Sequence, residues 1–247
     1  MSNLQNASRV VQVIETLAAR QPLKLDEIAA VLEVHKSNAL RLLATLRNHG
    51  WVSVNETRTL YSLGPSLVSI GQAAVPDIEL TKALELASTL RDLSGETVHV
   101  SVLSGLRMVI VGKVESLNAL RVSLDVGSSD AMHSTAVGKI ALASMSEDEL
   151  RRTIDELDLV AVTPNTITER ARLLEEVVAA REKGYALNIE EGRAGIASVA
   201  VSLSFDGVSR PFSLSITGPI ERWSRAAIEE SMPRILEVVA PYSYLPR

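Results

Sequence analysis

Between Val10 and Gly64 the hydrophobic spacing switches from helical to alternating, which leaves few folds open to the start of the chain. Val10, Val13, Ile14 and Leu17 recur at helical spacing until Gln21 and Pro22 stop them. "LDEIAAVLE" follows as a second helix, with Asp26 as its expected N-cap and Ile28, Val31 and Leu32 on one face. "KSNALRLLATLRNHG" is a third, in which Ala39, Leu42, Leu43 and Leu46 point inward and Gly50 supplies the stop. "WVSVNETRTLYSLG" then alternates apolar and polar residues on either side of a polar tip, as the two strands of a hairpin do. Three short helices and a hairpin within residues 1–68 make a winged helix-turn-helix.

Such a unit places its second motif helix in the major groove of DNA, with the N-terminal residues of that helix at the base edges. Here they are His35, Lys36, Ser37 and Asn38, with Arg41 one turn later on the same face. Asparagine pairs bidentately with adenine, and arginine or lysine with guanine. Thr45 and Arg47 continue towards the DNA backbone, and Arg58 at the hairpin tip is placed for a phosphate or the minor groove. Any three-helix bundle has one solvated, charged face, so the helices alone do not decide the matter. The wing, the small Ala29 inside the second helix and the charge distribution favour DNA. Net charge is −5, yet residues 1–64 hold seven basic and five acidic groups, a slightly basic head on an acidic body.

The body reads as α+β with a mostly antiparallel sheet. Residues 69–95 form a connecting helical region in which Leu80, Leu84, Ala87 and Leu90 share a face. Strand signals take over in "TVHVSVL", "RMVIVGKV" and "ALRVSLDV". Two helices follow, the second opened by a capping box at Ser146 and Glu149, and another runs from about Glu169 to Gly184. "ASVAVSLS" and "SRPFSLSIT" are strands joined by a turn at Asp206-Gly207. A last helix, from about Arg222 to Val239, contains Pro233, which predicts a kink or a late start. Residues 96–247 are expected to form one domain. With 247 residues, 46% of them hydrophobic, there is material for two cores. There is no cysteine, no apolar run approaching the roughly 18 residues of a membrane span and no secretory layout at the N-terminus, so a cytoplasmic protein is expected. His35, His49, His99 and His133 have no partner at metal-ligand spacing, and no cofactor or metal is expected.

"HSTAVGKIALA", residues 133–143, invites a phosphate-loop reading that fails. A P-loop needs glycine where His133 stands and a hydroxyl where Ile140 stands. A Ser-His-Asp hydrolase built on His133, its serine neighbour and Asp130 is the rival from another class, but the chain lacks a G-x-S-x-G elbow. What remains is a helix entered by small residues, whose free N–H groups and positive dipole end attract an anion. Lys139 is expected to be a charge on that helix's surface.

The segments "SRVVQVIETLA", "LKLDEIAAVLEVHKSNALRLLATLRNHGWV", "YSLGPSLVSIG", "SGETVHVSVL", "HSTAVGKIALA", "KGYALNIEEGRAGIASVAVSL" and "SITGP" stand in the order found in the IclR family of bacterial transcriptional regulators. The resemblance runs from Ser8 to about Val239. It implies a DNA-binding regulator, a repressor, acting on double-stranded operator DNA as a homodimer or dimer of dimers, without a membrane. It also implies that the body binds a small organic acid effector. Carried over by position, Ala136 and Val137 offer backbone N–H groups, and Ser215 and Thr217 offer hydroxyls from one face of a strand. Asn188 stands where the family commonly has aspartate, and Ser198 where it has cysteine. At the DNA edge Glu33 replaces a frequent glycine, so the turn has to hold a side chain in a left-handed conformation. His35 and Asn38 replace a frequent proline and threonine. A winged-helix module for protein contacts is a third reading of the head.

Overall fold

The computed structural model describes residues 5–74, 77–205 and 211–245 and divides into two compact units, Met1–Pro76 and Asp77–Arg247. Among the described residues no helix is long and apolar enough to cross a membrane.

The first unit runs α1 (Gln5–Ala19), β1 (Leu23–Lys24), α2 (Leu25–Val31), α3 (Lys36–Asn48), β2 (Val52–Val54), β3 (Leu60–Leu63) and α4 (Ser66–Ala74). Its core joins the apolar faces of α1, α2 and α3 through Val13, Leu17, Ile28, Leu32, Leu43 and Leu46, closed below by Leu23, Val52 and Tyr61 of the sheet. Each such side chain contributes about 1.5–3 kcal/mol by leaving water. The hairpin pairs Val52 with Leu63 and Val54 with Tyr61. It also gains a strand that the spacing does not announce, because β1 pairs with β3 and makes the wing three-stranded. Asp26 is not the N-cap of α2. The helix begins at Leu25, the backbone N–H of Lys24 is held by the Glu27 carboxylate at 2.8 Å, and Asp26 sits inside the first turn. A carboxylate there still favours the positive end of the helix.

Glu33 does adopt the left-handed conformation, with φ 51°. The turn is held by hydrogen bonds from Glu33 N–H to the Ala30 carbonyl and from Val34 N–H to the Ala29 carbonyl, at 3.2 and 3.1 Å. Ala29 itself is buried, so α3 can cross α2 closely.

The second unit contains α5 (Asp77–Ser94), β4 (Thr97–Ser104), β5 (Arg107–Val114), β6 (Ser129–Ala131), α6 (Ala136–Ala143), α7 (Glu147–Glu156), α8 (Arg170–Lys183), β7 (Ala186–Ile189), β8 (Ile196–Leu203), β9 (Phe212–Pro219) and α9 (Arg225–Val239). The strands form one antiparallel sheet in the order β6-β5-β4-β9-β8-β7. Its two faces differ. Val98, Val100, Val199, Val201, Leu214 and Ile216 make an apolar face, against which α5 and α9 pack. Thr97, His99, Ser101, Ser198, Ser202, Ser213, Ser215 and Thr217 make a polar face that is equally buried, beneath α6.

Several sequence expectations change here. The region expected as one connecting helix carries α4 up to Ala74 and α5 from Asp77, and α5 packs on the sheet of the second unit. "ALRVSLDV" is not a strand. Side chains hold it instead of a ladder: the Lys113 ammonium and the Glu115 carboxylate bond the Ser123 hydroxyl, Arg121 bonds Glu115, and His99 receives the Leu124 N–H. The strands β6 and β7, of three and four residues, are too short to show a spacing in the sequence. α9 starts under a Ser224 cap and continues through Pro233. Ser146 caps α7 by accepting the Glu149 N–H, and Gly184 ends α8 at φ 83°. The turn expected at Asp206-Gly207 lies outside the described residues.

Glu33→Gly should raise stability by about 1 kcal/mol. The relief of a left-handed L-residue is worth roughly 1–2 kcal/mol, and the freer unfolded chain takes part of it back. Urea unfolding of the two proteins measures this. Glu33→Val should shift the midpoint in the opposite direction.

Candidate functional site

Two places on the chain collect chemistry-bearing groups, one in each unit. In the first, Ser37, Arg41 and Thr45 follow one another at i, i+4 spacing along α3, and with His35, Lys36 and Asn38 they form an exposed edge opposite buried Ala39, Leu43 and Leu46. All eight sequence-derived candidates, Arg47 and Arg58 included, are exposed. Two of them are partly engaged. Lys36 pairs with Asp26 at 2.7 Å, a surface contact worth about 0–1 kcal/mol that a phosphate readily replaces, and the Thr45 hydroxyl donates to the Arg41 carbonyl. Among the described residues no carboxylate pairs with Arg41, Arg47 or Arg58. Arg58 sits at the hairpin tip with φ 56°, in a turn tied by the Asn55 side chain to the Thr59 and Leu60 N–H groups. Arg9 of α1 shares a surface cleft with Asn38 and Arg41, and the spacing did not single it out.

In the second unit a cavity of about 230 Å³ opens between the polar face of the sheet and the start of α6. Ala136, Val137, Asn188, Ser198, Ser215 and Thr217 all line it. Strand register explains the convergence: Thr217 pairs with Ser198, and Ser198 with Asn188, so three neighbouring strands carry these side chains on one face. Thr135 caps α6 by accepting the Gly138 N–H at 3.2 Å and ties itself to the Ala131 carbonyl at 2.7 Å. Helix geometry leaves the Ala136 and Val137 N–H groups without an intrahelical acceptor. The glycine of the Gly-Lys pair is a packing residue: a Cβ on Gly138 would stand 2.2 Å from the Met132 Cα and carbonyl oxygen.

Lys139 is not a surface charge. It is 1% exposed, and its ammonium meets both carboxylate oxygens of Glu191 at 2.6 and 2.7 Å. The Glu191 N–H donates to the Asn188 carboxamide oxygen, and its carbonyl accepts from the Thr163 and Thr166 hydroxyls. Nor is the polar row "SLSIT" an outward one, since Ser213, Ser215 and Thr217 are buried. The His133 ring is also placed structurally, with Nε2 3.0 Å from the Val160 carbonyl.

The cavity also gathers groups that sequence spacing missed. His99 and Ser101 form part of its floor, and Arg107, Asp130 and Arg193 line it as well. Burial pushes the Asp130 carboxyl above its ordinary value, against the pull of Arg193 and Arg107. Burial, then the Lys113 ammonium, lowers the His99 imidazole from 6.5 to about 4, with Glu115 opposing. Their signal is the alternation in "TVHVS", which puts Thr97, His99 and Ser101 on one face with the same period as Ser215 and Thr217.

Family models match almost end to end. Residues 7–56 match the IclR helix-turn-helix domain, and residues 73–243 match the C-terminal domain of bacterial transcriptional regulators of the IclR type. The HTH-type transcriptional regulator XynR of Escherichia coli K12 is 31% identical over 203 residues, covering 81% of each chain. The HTH-type transcriptional repressor AllR of the same strain is 28% identical over 220 residues, 89% of this chain and 80% of AllR. The crystal structure of an IclR transcriptional regulator from Alicyclobacillus acidocaldarius superposes with a TM-score of 0.79 at 28% identity, covering 97% of this chain and 98% of that one.

A histidine depressed in the folded state binds its proton less readily than in the unfolded chain. Its neutral form therefore costs nothing above pH 6.5, and stability is lost as pH falls from 6.5 towards 4. His99 should contribute a loss of about 3 kcal/mol across that window. Histidine NMR titration should find one imidazole neutral down to about pH 4, and that resonance should vanish in His99→Gln together with its share of the acid slope in the unfolding free energy.

Proposed function

The chain belongs to the IclR family of bacterial transcriptional regulators and carries its helix-turn-helix DNA-binding domain, and from that footing we propose a repressor released or engaged by a small carboxylate bound in the cavity of the second unit. One observation carries the effector reading: the N-terminus of α6, Ser215 and Thr217 line the same cavity. Free backbone N–H groups, a positive helix end and hydroxyl donors suit a carboxylate whose water has been stripped away. Asn188 and Ser198 complete the wall as neutral hydrogen-bonding groups. The repressor role is supported by the relative AllR, which is named as one.

On the DNA side, Asn38 and Arg41 read bases while Arg47 and Arg58 hold phosphates. A single recognition helix touches too few bases for a selective site, so a homodimer, or a dimer of dimers, across a two-fold operator is the expected assembly. In the hydrolase alternative one ring nitrogen of the histidine must face the serine and the other the aspartate, and His133 gives its Nε2 to the Val160 carbonyl instead.

The reading is tested by selecting operator DNA from a random pool and titrating it at several salt concentrations. Arg41→Ala should cost about 1–3 kcal/mol and relax preference at one operator position. Arg58→Ala should weaken all sequences alike and lower the salt slope by roughly one. Unaltered sequence preference in Arg41→Ala would place the reading edge elsewhere.

A further inference from the structure

The cavity floor holds two polar atoms that the carboxylate site does not use. His99 and Ser101 are each 1% exposed and lie on the face of β4 that meets Ser215 and Ser213 of β9 across the strand pair. Among the described residues, His99 Nδ1 and Ser101 Oγ are the buried side-chain nitrogen and oxygen atoms that lack a hydrogen-bond partner. Folded interiors leave few such atoms unpaired, because each has lost the water that solvated it. Here both occur in one cavity, two residues apart on one strand.

The rest of the imidazole is already committed. Its Nε2 accepts the Leu124 N–H at 3.1 Å, which puts the ring proton on Nδ1 and leaves that N–H as a donor without a partner, on a residue of the cavity lining. The ring is neutral at ordinary pH, so it offers direction without charge. The charged groups of the lining, Arg107, Arg193 and Asp130, are other residues, and they act on one another. The Lys113 ammonium beside His99 is already paired with Glu115 and Ser123, so a second carboxylate on the floor would have to compete for it. An uncharged oxygen would find two donors.

We propose that His99 and Ser101 form a second subsite that binds a neutral oxygen of the ligand, a hydroxyl, ether or carbonyl distinct from its carboxylate. The ligand is then a small acid carrying at least one further oxygen, and His99 selects for it. At about 230 Å³ the cavity lies below the roughly 300–1,000 Å³ of drug-sized ligand pockets, which suits a compact metabolite. This inference rests on the carboxylate reading of the cavity.

The test is calorimetric titration of the full chain with matched acids that differ by one oxygen: lactate and propionate, glycolate and acetate, malate and succinate, 4-hydroxybenzoate and benzoate. In at least one pair the oxygenated acid should bind about ten- to a hundredfold tighter, because the deoxy acid leaves the floor donors unpaired. His99→Gln keeps an acceptor near the Nε2 position for Leu124 but has no donor at Nδ1, and the ratio should fall to about one. His99→Asn places an amide donor near Nδ1 and should retain the preference. Equal binding within every pair, or a ratio that survives in His99→Gln, would overturn the subsite and leave the carboxylate reading standing. Failure of every acid, oxygenated or not, to bind at millimolar concentration would overturn both.

Discussion

The ion pair between Lys139 and Glu191 is the contact on which the geometry of the cavity depends. It joins α6, whose first residues line the cavity, to the segment after β7, so that Asn188 of β7 and Gly192 and Arg193 beyond it stand along the wall. Burying either ion alone costs several kcal/mol, so the two are tolerated only together, and removing one partner typically costs 3–5 kcal/mol. The backbone of Glu191 is pinned as well, between Asn188 and the Thr163 and Thr166 hydroxyls. Gly138 completes the arrangement by letting α6 approach the Met132 backbone more closely than any side chain allows. Helix, loop and sheet are thereby held in one relation, and a cavity remains among them.

That cavity follows from an unusual division of the sheet. Alternation along β4, β8 and β9 gives one apolar and one polar face, the pattern of a sheet with one side in water. Here α6 covers the polar side too. Hydroxyls, an imidazole and a carboxamide are then held away from bulk solvent, where a hydrogen bond to a guest is stronger and an unmade one is more costly. The apolar face against α5 and α9 supplies the stability, and the polar face supplies the wall of the proposed effector site.

Much of this was legible in sequence where the signal is local. The helices of the first unit, the hairpin, the Ser146 cap and the stops at Gly50 and Gly184 follow from spacing and backbone preference. So does the left-handed Glu33, once its place in the turn is known. What escaped depends on partners far along the chain. Lys139 looks like a helix-surface charge until Glu191, 52 residues on, is brought beside it. "ALRVSLDV" alternates like a strand, yet the side chains of His99, Lys113 and Glu115 hold it as a loop. β1, β6 and β7 are too short to announce themselves. His99 shows no metal-ligand spacing, and nothing local says that its buried ring nitrogen will lack a partner.

Control of DNA binding by the cavity requires only that the ligand favour one DNA-binding state over another, and such coupling is reciprocal. The most direct measurement is therefore a pair of titrations: operator DNA with and without saturating acid, and the same acid with and without saturating operator. The account predicts one common factor, of about 5- to 150-fold, in both affinities. An acid that fills the cavity at full affinity yet leaves the affinity for operator unchanged would contradict it.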